Sequence, residues 1–518
     1  AKFLENLVGR GCAGPDADLQ TILTRIPPSR LPDHPLVTKD PETRLRHARG
    51  QSLPDWVALR SGEIETFPDG VAFPESDEEV QQLFAYAAAC GAQIIPYGGG
   101  SSVVGHLNVR AGDPPALSVD MCRMDALLDL DETSLLATFG AGVRGPDLEE
   151  ALNQRGYTLG HFPQSFEFST LGGWIASRSV GTQCYYYGRI ENLFASGHIE
   201  TPSGALDLPL VPASAAGPDL RHLVMGSEGR IGIITRATVR IARLPQDEHF
   251  HAVFFPDWVH GLAALREIVQ ERVPVSMLRL SNPAETETTL QLAGKPKLVD
   301  LAHRGLNLIG IREERCMLMF GATGDKGKTG LAYRRAAGIS RAHKGFVVNP
   351  VIGKMWHKTR FTTPYLRNTL WDFGYALDTL ESALPWSKVD RAIQQAITCM
   401  QNALEPFGER AHVFAHLSHM YSDGASFYIT YLFRQARDAD DLLLPEETLR
   451  RWHAIKDAAS RVIVDHGGTI SHQHGIGLDH APYLRAEKGA LGMQTLNTLF
   501  HQFDPDEMMN KGKLIVDS

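Results

Sequence analysis

The order of apolar and polar residues along the chain predicts a mixture of helices and strands. Apolar residues at helical spacing fill positions 80–90, after the capping segment Ser76-Asp-Glu-Glu79, and Gly91 ends this predicted helix. The short apolar run at 93–95 predicts a strand directly after the helix. Such an alternation is typical of an α+β domain.

The pattern changes after about residue 245, where a second domain is predicted. Helical spacing occurs at 263–269, and the runs at 277–281 and 427–433 have the composition of strands. A long helix is predicted at 445–465, ended by Gly467-Gly468. The predicted organisation is a proline-rich arm at 1–67, a first domain at 68–243, a second domain at 244–440 and a helical segment at 441–518.

Three glycine- and serine-rich turns, at 94–105, 163–181 and 225–235, each lie beside a strand-like run. Glycine permits positive φ and close backbone approach, and successive N–H groups in such a turn bind phosphate. One turn of this kind is often only a turn, but three in succession favour a phosphate or pyrophosphate site. The Rossmann fingerprint is absent, because no Gly-x-Gly-x-x-Gly opens a helix.

Composition narrows the class of protein. The 518 residues carry a net charge of −9, which argues against broad nucleic-acid binding. No apolar run reaches the length of a spanning helix, and neither terminus has the form of a signal peptide or of a Ser-Lys-Leu address. We therefore expect a cytoplasmic protein, with the peroxisome as the alternative. Scattered cysteines without a Cys-x-x-Cys pair predict free thiols in a reducing compartment: Cys12, Cys90, Cys122, Cys184, Cys316 and Cys399.

The three turns, in this order, resemble the PCMH-type FAD-binding domain of the vanillyl-alcohol-oxidase family over about residues 68–243. The resemblance implies an α+β fold in which a two-subdomain FAD-binding domain is joined to an α/β cap domain with an antiparallel sheet. In this family the first turn holds the pyrophosphate, the second lies along the flavin and the third closes over the adenine side. The residues that the resemblance places on FAD are Pro96, Gly98, Gly99, Gly100, Ser101, Ser102, Gly105, His106, Pro163, Ser165, Thr170, Gly172, Gly173, Ser177, Gly181, Glu228, Gly229, Ile233 and Ile234.

The resemblance also implies how FAD is held. No histidine follows the glycines of the first turn at the family's usual attachment position, and His106 lies further along, so we expect noncovalent FAD. The segment from Asp504 to Leu514 resembles the C-terminal end of the family, with Lys511 in place of a proline. In the family this end returns to the FAD domain, which implies the same for residues 441–518.

Motifs along the chain, most of them after residue 244, resemble one branch of the family, the alkyldihydroxyacetonephosphate synthases, and the likeness covers about residues 50–515. The resemblance implies exchange of the acyl group of acyl-dihydroxyacetone phosphate for a fatty alcohol, without net redox change, through a covalent flavin N5–substrate intermediate. The expected partners are this phosphorylated lipid, a long-chain alcohol, a second copy of the chain in a homodimer, and a membrane touched peripherally. The motifs are Leu278-Arg279-Leu280, Tyr365-Leu-Arg367, His419 to Tyr428, Ser471-His-Gln-His-Gly475 and His161-Phe-Pro163.

Tyr428 is the catalytic acid/base that the resemblance implies. A phenol with a pKa of about 10 needs cationic or hydrogen-bonding neighbours to act at neutral pH, and His472 and His474 are the candidates. By its residues alone Tyr428 would be a strand tyrosine packed in the core. Tyr431 is the fallback, because it lies on the opposite face of the predicted strand.

Arg367 is the candidate for the substrate phosphate, because a guanidinium binds two phosphate oxygens at once. Arg279 and His419 are further substrate-binding candidates. His161 directly precedes the second flavin turn, where the family has a functional histidine. No metal is expected, because the His-x-His pair at 472–474 has no evident third ligand.

Departures from the synthase pattern leave a second interpretation open. The synthases have three consecutive histidines where this chain has His472-Gln473-His474, and an arginine at the position of His416. The alternative is an FAD-linked oxidase or dehydrogenase of a 2-hydroxy acid, of the D-lactate or glycolate type, although neither metal-associated segment of those enzymes is intact here. The basic run at 325–345 and the aromatic-basic segment at 350–375 are either solvated helix faces or a surface for anionic lipid and an amphipathic substrate.

Overall fold

The computed structural model describes residues 2–292, 304–348, 351–361 and 365–515, and these residues form two compact units. The first unit comprises Pro15–Gly181, Gly188–Arg243 and Gln473–Ser518. The second unit comprises Ala1–Gly14, Thr182–Tyr187 and Leu244–His472. The segment predicted at 1–67 is thus divided between the units after Gly14, and the segment predicted at 441–518 is divided after His472. Positions 350 and 362–364 of the aromatic-basic segment lie outside the described residues.

In the first unit, the described residues form a four-stranded sheet in the order β1-β2-β4-β3. β2, β4 and β3 run parallel, and β1 is antiparallel at the edge. The helix Asp77–Cys90 joins β2 to β3: Ser76 Oγ accepts from Glu79 N at its start, and Gly91 adopts φ +65° at its end. The strands are β1 (Val37–Thr38), β2 (Gly70–Ala72), β3 (Gln93–Tyr97) and β4 (Ala116–Asp120).

The described part of the first unit also has a five-stranded antiparallel sheet in the order β5-β6-β10-β8-β9. A separate pair joins β7 to β11. The strands are β5 (Leu127–Asp131), β6 (Leu136–Gly140), β7 (Tyr157–Thr158), β8 (Phe194–Thr201), β9 (Gly204–Asp207), β10 (Ile233–Arg240) and β11 (Ala242–Arg243). Further helices of the unit include Leu19–Thr24, Pro41–Arg46, Leu53–Ser61, Gly145–Asn153, Leu171–Ser177, Ile190–Leu193, Arg221–Val224 and Ala481–Phe503, the last of which is kinked at Gly489.

The C-terminal tail is built into the core of the first unit. Ile94 N donates to Met508 O at 2.7 Å, and Asn510 N donates to Ile94 O at 2.7 Å. Met508 and Met509 are buried in the cluster that includes Val80 and Ile94. The tail therefore stabilises β3, the strand that leads into the first glycine-rich turn.

The second unit is built on a seven-stranded antiparallel sheet, counted over the described residues, in the order β15-β12-β14-β13-β17-β18-β16. The strands are β12 (Asp247–Phe255), β13 (Met277–Ser281), β14 (Cys316–Gly324), β15 (Phe346–Val347), β16 (Tyr375–Pro385), β17 (His412–Met420) and β18 (Gly424–Arg434). The helices include Lys2–Val8, Cys184–Tyr187, Trp258–Gln270, Pro283–Leu292, Lys326–Ala342, Val351–Thr359, Leu366–Asp372, Trp386–Asn402 and Pro445–His466. The strand predictions at 277–281 and 427–433 and the helix prediction at 445–465 are confirmed.

The two faces of this sheet differ in character. On one face Tyr431 is fully buried and donates to Asp378 at 3.2 Å, and Trp452 of the helix Pro445–His466 donates to the same carboxylate at 2.7 Å. Phe427, like every second residue of β18, shares that helix-covered face. Tyr428 points to the other face, which we call the polar face because titratable side chains lie along it.

Candidate active site and cofactor turns

Glycines are required where the first and second turns of the first unit meet. A Cβ atom on Gly99 would lie 1.6 Å from the carbonyl oxygen of Phe168, and one on Gly98 would lie 2.3 Å from Thr170 Oγ1. Gly100 has φ +65°, a conformation that side chains disfavour. The turn therefore presents bare backbone, and bare backbone with free N–H groups is what a pyrophosphate needs.

Hydrogen bonds fix the rest of the first turn. Ser102 Oγ lies 2.7 Å from His106 Nδ1, and the carbonyl oxygen of Ser102 accepts from Gln51 N at 2.6 Å. Asp55, fully buried, accepts from the side chain of Asn108 at 2.8 Å. The segment at 50–55, predicted as part of an arm, thus supports the turn, which the sequence pattern did not indicate.

Glu228, in the third turn, contacts three other segments of the first unit. It has φ +52°, and its carboxylate accepts from Ile476 N at 2.5 Å and from Gly477 N at 2.8 Å. His106 Nε2 lies 2.9 Å from the same carboxylate, and the side chain of Asn510 donates to the backbone carbonyl of Glu228 at 2.8 Å. One buried side chain therefore connects the first turn, the third turn and the segment after the His-x-His pair.

His161 is buried immediately before the second turn. Its Nε2 lies 3.2 Å from Ser179 Oγ, and its ring centroid lies 4.8 Å from that of Trp174. Burial, with a smaller effect of the Arg189 charge, lowers the pKa of His161 to about 3, so the ring is neutral at pH 7. Its Nδ1 is buried and has no hydrogen-bond partner among the described residues. An orphaned polar atom beside the bare glycine turns fits a polar ligand such as FAD at this site.

Tyr428 is fixed on the polar face by two neighbours. Its hydroxyl donates to Thr379 Oγ1 at 2.9 Å, and its ring stacks on His416 with centroids 5.2 Å apart. The strand register places His416 and Glu381 on either side of Tyr428. Burial, followed by the carboxylates of Glu381 and Asp378, raises the pKa of Tyr428, so the phenol is neutral at pH 7.

A charged pair lies behind this stack. Arg279 Nη2 donates to Glu285 Oε1 at 2.6 Å, and His416 Nδ1 lies 3.0 Å from the same oxygen. Burial alone would raise the pKa of Glu285, but His416 and Arg279 outweigh it and lower the pKa to about 2. Burial, with the charge of Arg279, lowers the pKa of His416. The arrangement is an ionised carboxylate that orients an arginine and a neutral imidazole.

His472 occupies a second position on the polar face. Its Nε2 lies 2.6 Å from the hydroxyl of Tyr421, and its ring stacks on His419 with centroids 5.2 Å apart. Glu381 holds the turn, because its carboxylate accepts from His472 N at 2.6 Å and from Ser471 Oγ at 2.9 Å. His472 is thereby fixed in position by three separate contacts.

The remaining predicted residues lie in different places. Arg367 is half-buried and is the second residue of the helix Leu366–Asp372, which Leu370 and Trp371 anchor in the interior. His474 is half-buried in the first unit, next to Gly475. The sequence predicts that Tyr428 pairs with the histidines at 472 and 474. In the structure the ring of Tyr428 instead stacks on His416 of β17.

One group of potential metal ligands occurs among the described residues, and it lies outside the predicted site. His198 Nε2 lies 2.7 Å from Glu200, and its Nδ1 lies 2.5 Å from Asp207. Asp77, the third member of the group with His198 and Glu200, pairs with Arg236 at 2.5 Å. The protein's own charges thus satisfy these ligands, and we assign no metal to them.

Comparison with known proteins shows the family. Residues 68–206 match the FAD binding domain, and residues 244–514, just over half of the chain, match the C-terminal domain of FAD linked oxidases. The alkyldihydroxyacetonephosphate synthase of Dictyostelium discoideum is 31% identical over 94% of this chain and 79% of that protein. The chain belongs to the alkyldihydroxyacetonephosphate synthase family. The Trypanosoma brucei brucei synthase is 28% identical over 92% of this chain and 78% of that protein.

Solved structures agree with this assignment. A structure of alkyldihydroxyacetonephosphate synthase superposes with a TM-score of 0.82 at 27% identity, over 98% of this chain and 91% of that chain. p-Cresol methylhydroxylase, at 12% identity and a TM-score of 0.68, shares the fold. The predicted family, the PCMH-type fold and FAD as cofactor are confirmed. Across the residues that the structure describes, no helix has the length and apolar character needed to cross a membrane.

The sequence missed several residues of the polar face, because their roles depend on strand register. A signal exists in the sequence: the runs at 411–420 and 424–434 both alternate, and the short turn between them predicts a hairpin. An unbroken register would have placed Leu417 opposite Tyr428, and only the register shift between Leu417 and His419 brings His416 there. The missed residues are Glu285, Thr379, Glu381, His416 and Tyr421.

Proposed function

We propose that this chain is an FAD-dependent transferase that exchanges the acyl group of acyl-dihydroxyacetone phosphate for a fatty alcohol. The likeness to named synthases over nearly the whole chain carries the proposal. FAD, when bound, supplies an electron-accepting ring for chemistry at the substrate carbon. The three turns of the first unit are proposed to hold it, with Gly98–Gly100 at the pyrophosphate and His161 at the second turn.

The cationic side chains of the second unit are proposed to hold the substrate. Arg367 would bind the phosphate dianion through two N–H groups, as guanidinium groups do. Arg279 offers a second positive charge whose direction is set by Glu285. His419, buried beside His472, is proposed to contact the substrate from β17.

Tyr428 is proposed to move a proton at the substrate carbon. Its raised pKa keeps the phenol protonated at pH 7, so the hydroxyl carries the proton that it would donate. The hydroxyl donates to Thr379 Oγ1, which fixes the direction of its O–H bond. The ionised Glu285 behind His416 keeps the ring under Tyr428 in one orientation.

An anaerobic comparison of substrates tests the proposal. Purified holoenzyme is mixed with acyl-dihydroxyacetone phosphate and hexadecanol, and separately with D-lactate, while products and the flavin spectrum are followed. We expect alkyl-dihydroxyacetone phosphate and free fatty acid from the first mixture, and an unchanged spectrum in the second. Bleaching of the flavin by D-lactate without ether formation would instead assign a 2-hydroxyacid dehydrogenase.

We infer further that the enzyme works as a homodimer in the cytoplasm and reaches its lipids by peripheral membrane contact. The helix Lys326–Ala342 supports the membrane contact because it exposes basic side chains, although Arg335 pairs with Glu271 at 3.0 Å. Co-sedimentation with vesicles of anionic and of neutral lipid tests the contact, and analytical ultracentrifugation tests the dimer. Binding to neither vesicle, or a monomer at micromolar concentration, would contradict the respective inference.

A further inference from the structure

A cysteine and a histidine of the second unit form a close pair, and the cysteine has no part in the proposed transfer. Cys184 Sγ lies 3.2 Å from His419 Nδ1. Cys184 is neither buried nor fully exposed. A nucleophile and a base within about 3.2 Å of each other form the arrangement that activates cysteine in enzymes.

The thiol side of the pair is held by its own segment, Thr182–Tyr187. Gln183 is buried, and its side chain donates to Glu248 at 2.7 Å. The hydroxyl of Tyr185 donates to the carbonyl oxygen of Val269 at 3.4 Å. These anchors on both sides leave little freedom for Cys184 to turn away from the imidazole.

The imidazole side is equally fixed. His419 is buried on β17, and its ring stacks on His472 at 21° with centroids 5.2 Å apart. The hydroxyl of Tyr421 lies 2.6 Å from His472 Nε2 and fixes that ring in turn. The structure thus aims Nδ1 of His419 at the sulfur, and a third and fourth group hold the base in place.

We propose that Cys184 is a reactive thiol, with His419 as its base, and a modification site for small electrophiles and hydroperoxides. With an alkyl iodide, the sulfur–carbon bond forms, the carbon–iodine bond breaks, iodide leaves and the thiol proton stays on His419. With hydrogen peroxide, the sulfur attacks one oxygen and the O–O bond breaks. The cysteine is oxidised by two electrons to sulfenic acid, and the peroxide is reduced to water.

Modification at this sulfur places new atoms against His419 and, through the stack, against His472. Loss of activity should therefore follow modification. The other cysteines provide internal references. Cys12 is exposed, whereas burial raises the pKa of the Cys122 thiol to about 11 and also raises that of Cys316.

The test measures the rate of iodoacetamide labelling of each cysteine in holoenzyme by peptide mass spectrometry at several pH values. Between pH 8.5 and 6.5 the rate at an ordinary thiol falls about 50-fold, because its thiolate fraction falls, whereas we expect a fall of less than about 10-fold at Cys184. Activity should decline in step with labelling of Cys184 and not of Cys12. A Cys184 rate that follows the Cys12 profile, or stays below it at every pH, would overturn the proposal.

Variants sharpen the result. Iodoacetamide should not lower the activity of Cys184→Ser, whatever activity this variant has before treatment. Cys12→Ser should be inactivated as fast as the parent. His419→Gln should give Cys184 the pH profile of an ordinary thiol. If this variant folds poorly, the comparison of Cys184 with Cys12 in the parent protein still tests the proposal. Labelling needs no turnover, so its failure leaves the proposed transferase activity untouched.

Discussion

The ring of Tyr428 lies on the ring of His416, with centroids 5.2 Å apart and planes inclined by 18°. A β-bulge in β17, between Leu417 and His419, makes this contact possible, because it shifts the register against β18 by one residue. As a result His416 and His419, three positions apart, both point to the polar face. Glu285 then orients His416 from behind.

Replacing Tyr428 with Phe should abolish most turnover while the fold and FAD content remain. The change keeps the ring and its stack and removes only the hydroxyl, and acid/base groups typically contribute about 10²- to 10⁴-fold. Steady-state turnover and the flavin-to-protein ratio measure the two effects. Tyr431→Phe is the matched control, because its hydroxyl faces Asp378 under the helices, and it should keep near-normal turnover. Full turnover in Tyr428→Phe would remove Tyr428 from the mechanism.

Replacing Arg367 with Ala should weaken binding of the phosphorylated substrate. Hydrogen bonds to a charged group contribute about 1.5–3 kcal/mol each, so KM should rise at least tenfold. Substrate titration with kcat and KM determined separately measures the effect, and FAD content should stay normal. Arg334→Ala, an exposed arginine of the helix Lys326–Ala342, is the control. An unchanged KM in Arg367→Ala would place the phosphate elsewhere.

FAD should leave the protein intact on denaturation. No histidine stands at the family's attachment position, and His106 is engaged with Ser102 and Glu228. Acid or heat precipitation should therefore leave all flavin in the supernatant, where chromatography identifies FAD. Yellow colour retained by the precipitate would show a covalent bond.

Replacing Glu228 with Gln should loosen FAD. Ile476 N and Gly477 N donate to different carboxylate oxygens, and in Gln one of these atoms becomes an NH₂ group that cannot accept, so one buried N–H group loses its partner at a cost of about 1–3 kcal/mol. The third turn and the segment after the His-x-His pair then separate more easily. Fluorescence titration of apoprotein with FAD should show a Kd raised roughly 5- to 150-fold. Glu150→Gln, an exposed control in the helix Gly145–Asn153, should match the parent.

His161 should make the protein less stable as the pH falls. Its pKa is about 3 when folded and about 6.5 in an unfolded chain, so below pH 6.5 the unfolded state binds a proton that the folded state does not. The stabilising contribution is complete above pH 6.5 and is lost, by about 1.4 kcal/mol per pH unit, as the pH falls towards 3. Thermal unfolding from pH 7 to 4.5 should show a shallower slope in His161→Asn, and the parent slope in His453→Asn, an exposed control. Equal slopes in His161→Asn and the parent would contradict the buried, neutral state.

The sequence by itself determined the family, the cofactor and most elements of the fold. These conclusions rest on local signals: the three glycine-rich turns occur in order, and β13, β18 and the helix Pro445–His466 follow from composition and periodicity. Glycine positions are especially informative, because the contact of Gly99 with Phe168 tolerates no side chain. Turn composition and periodicity act within a few residues and can be read from the sequence, whereas the contact that requires Gly99 comes from Phe168, far along the chain.

The tertiary structure decided which side chains share the polar face. Because of the one-residue bulge in β17, every later residue of the strand points to the opposite face of the sheet from the one that strict alternation predicts. No residue type in the sequence indicates this bulge. A contact such as Glu381 with His472 N joins positions 91 apart in the chain, and Cys184 with His419 joins positions 235 apart. These pairs exist because strand pairing in the second unit brings distant parts of the chain together. Their geometry therefore follows from strand pairing and long-range packing, which a local pattern does not contain.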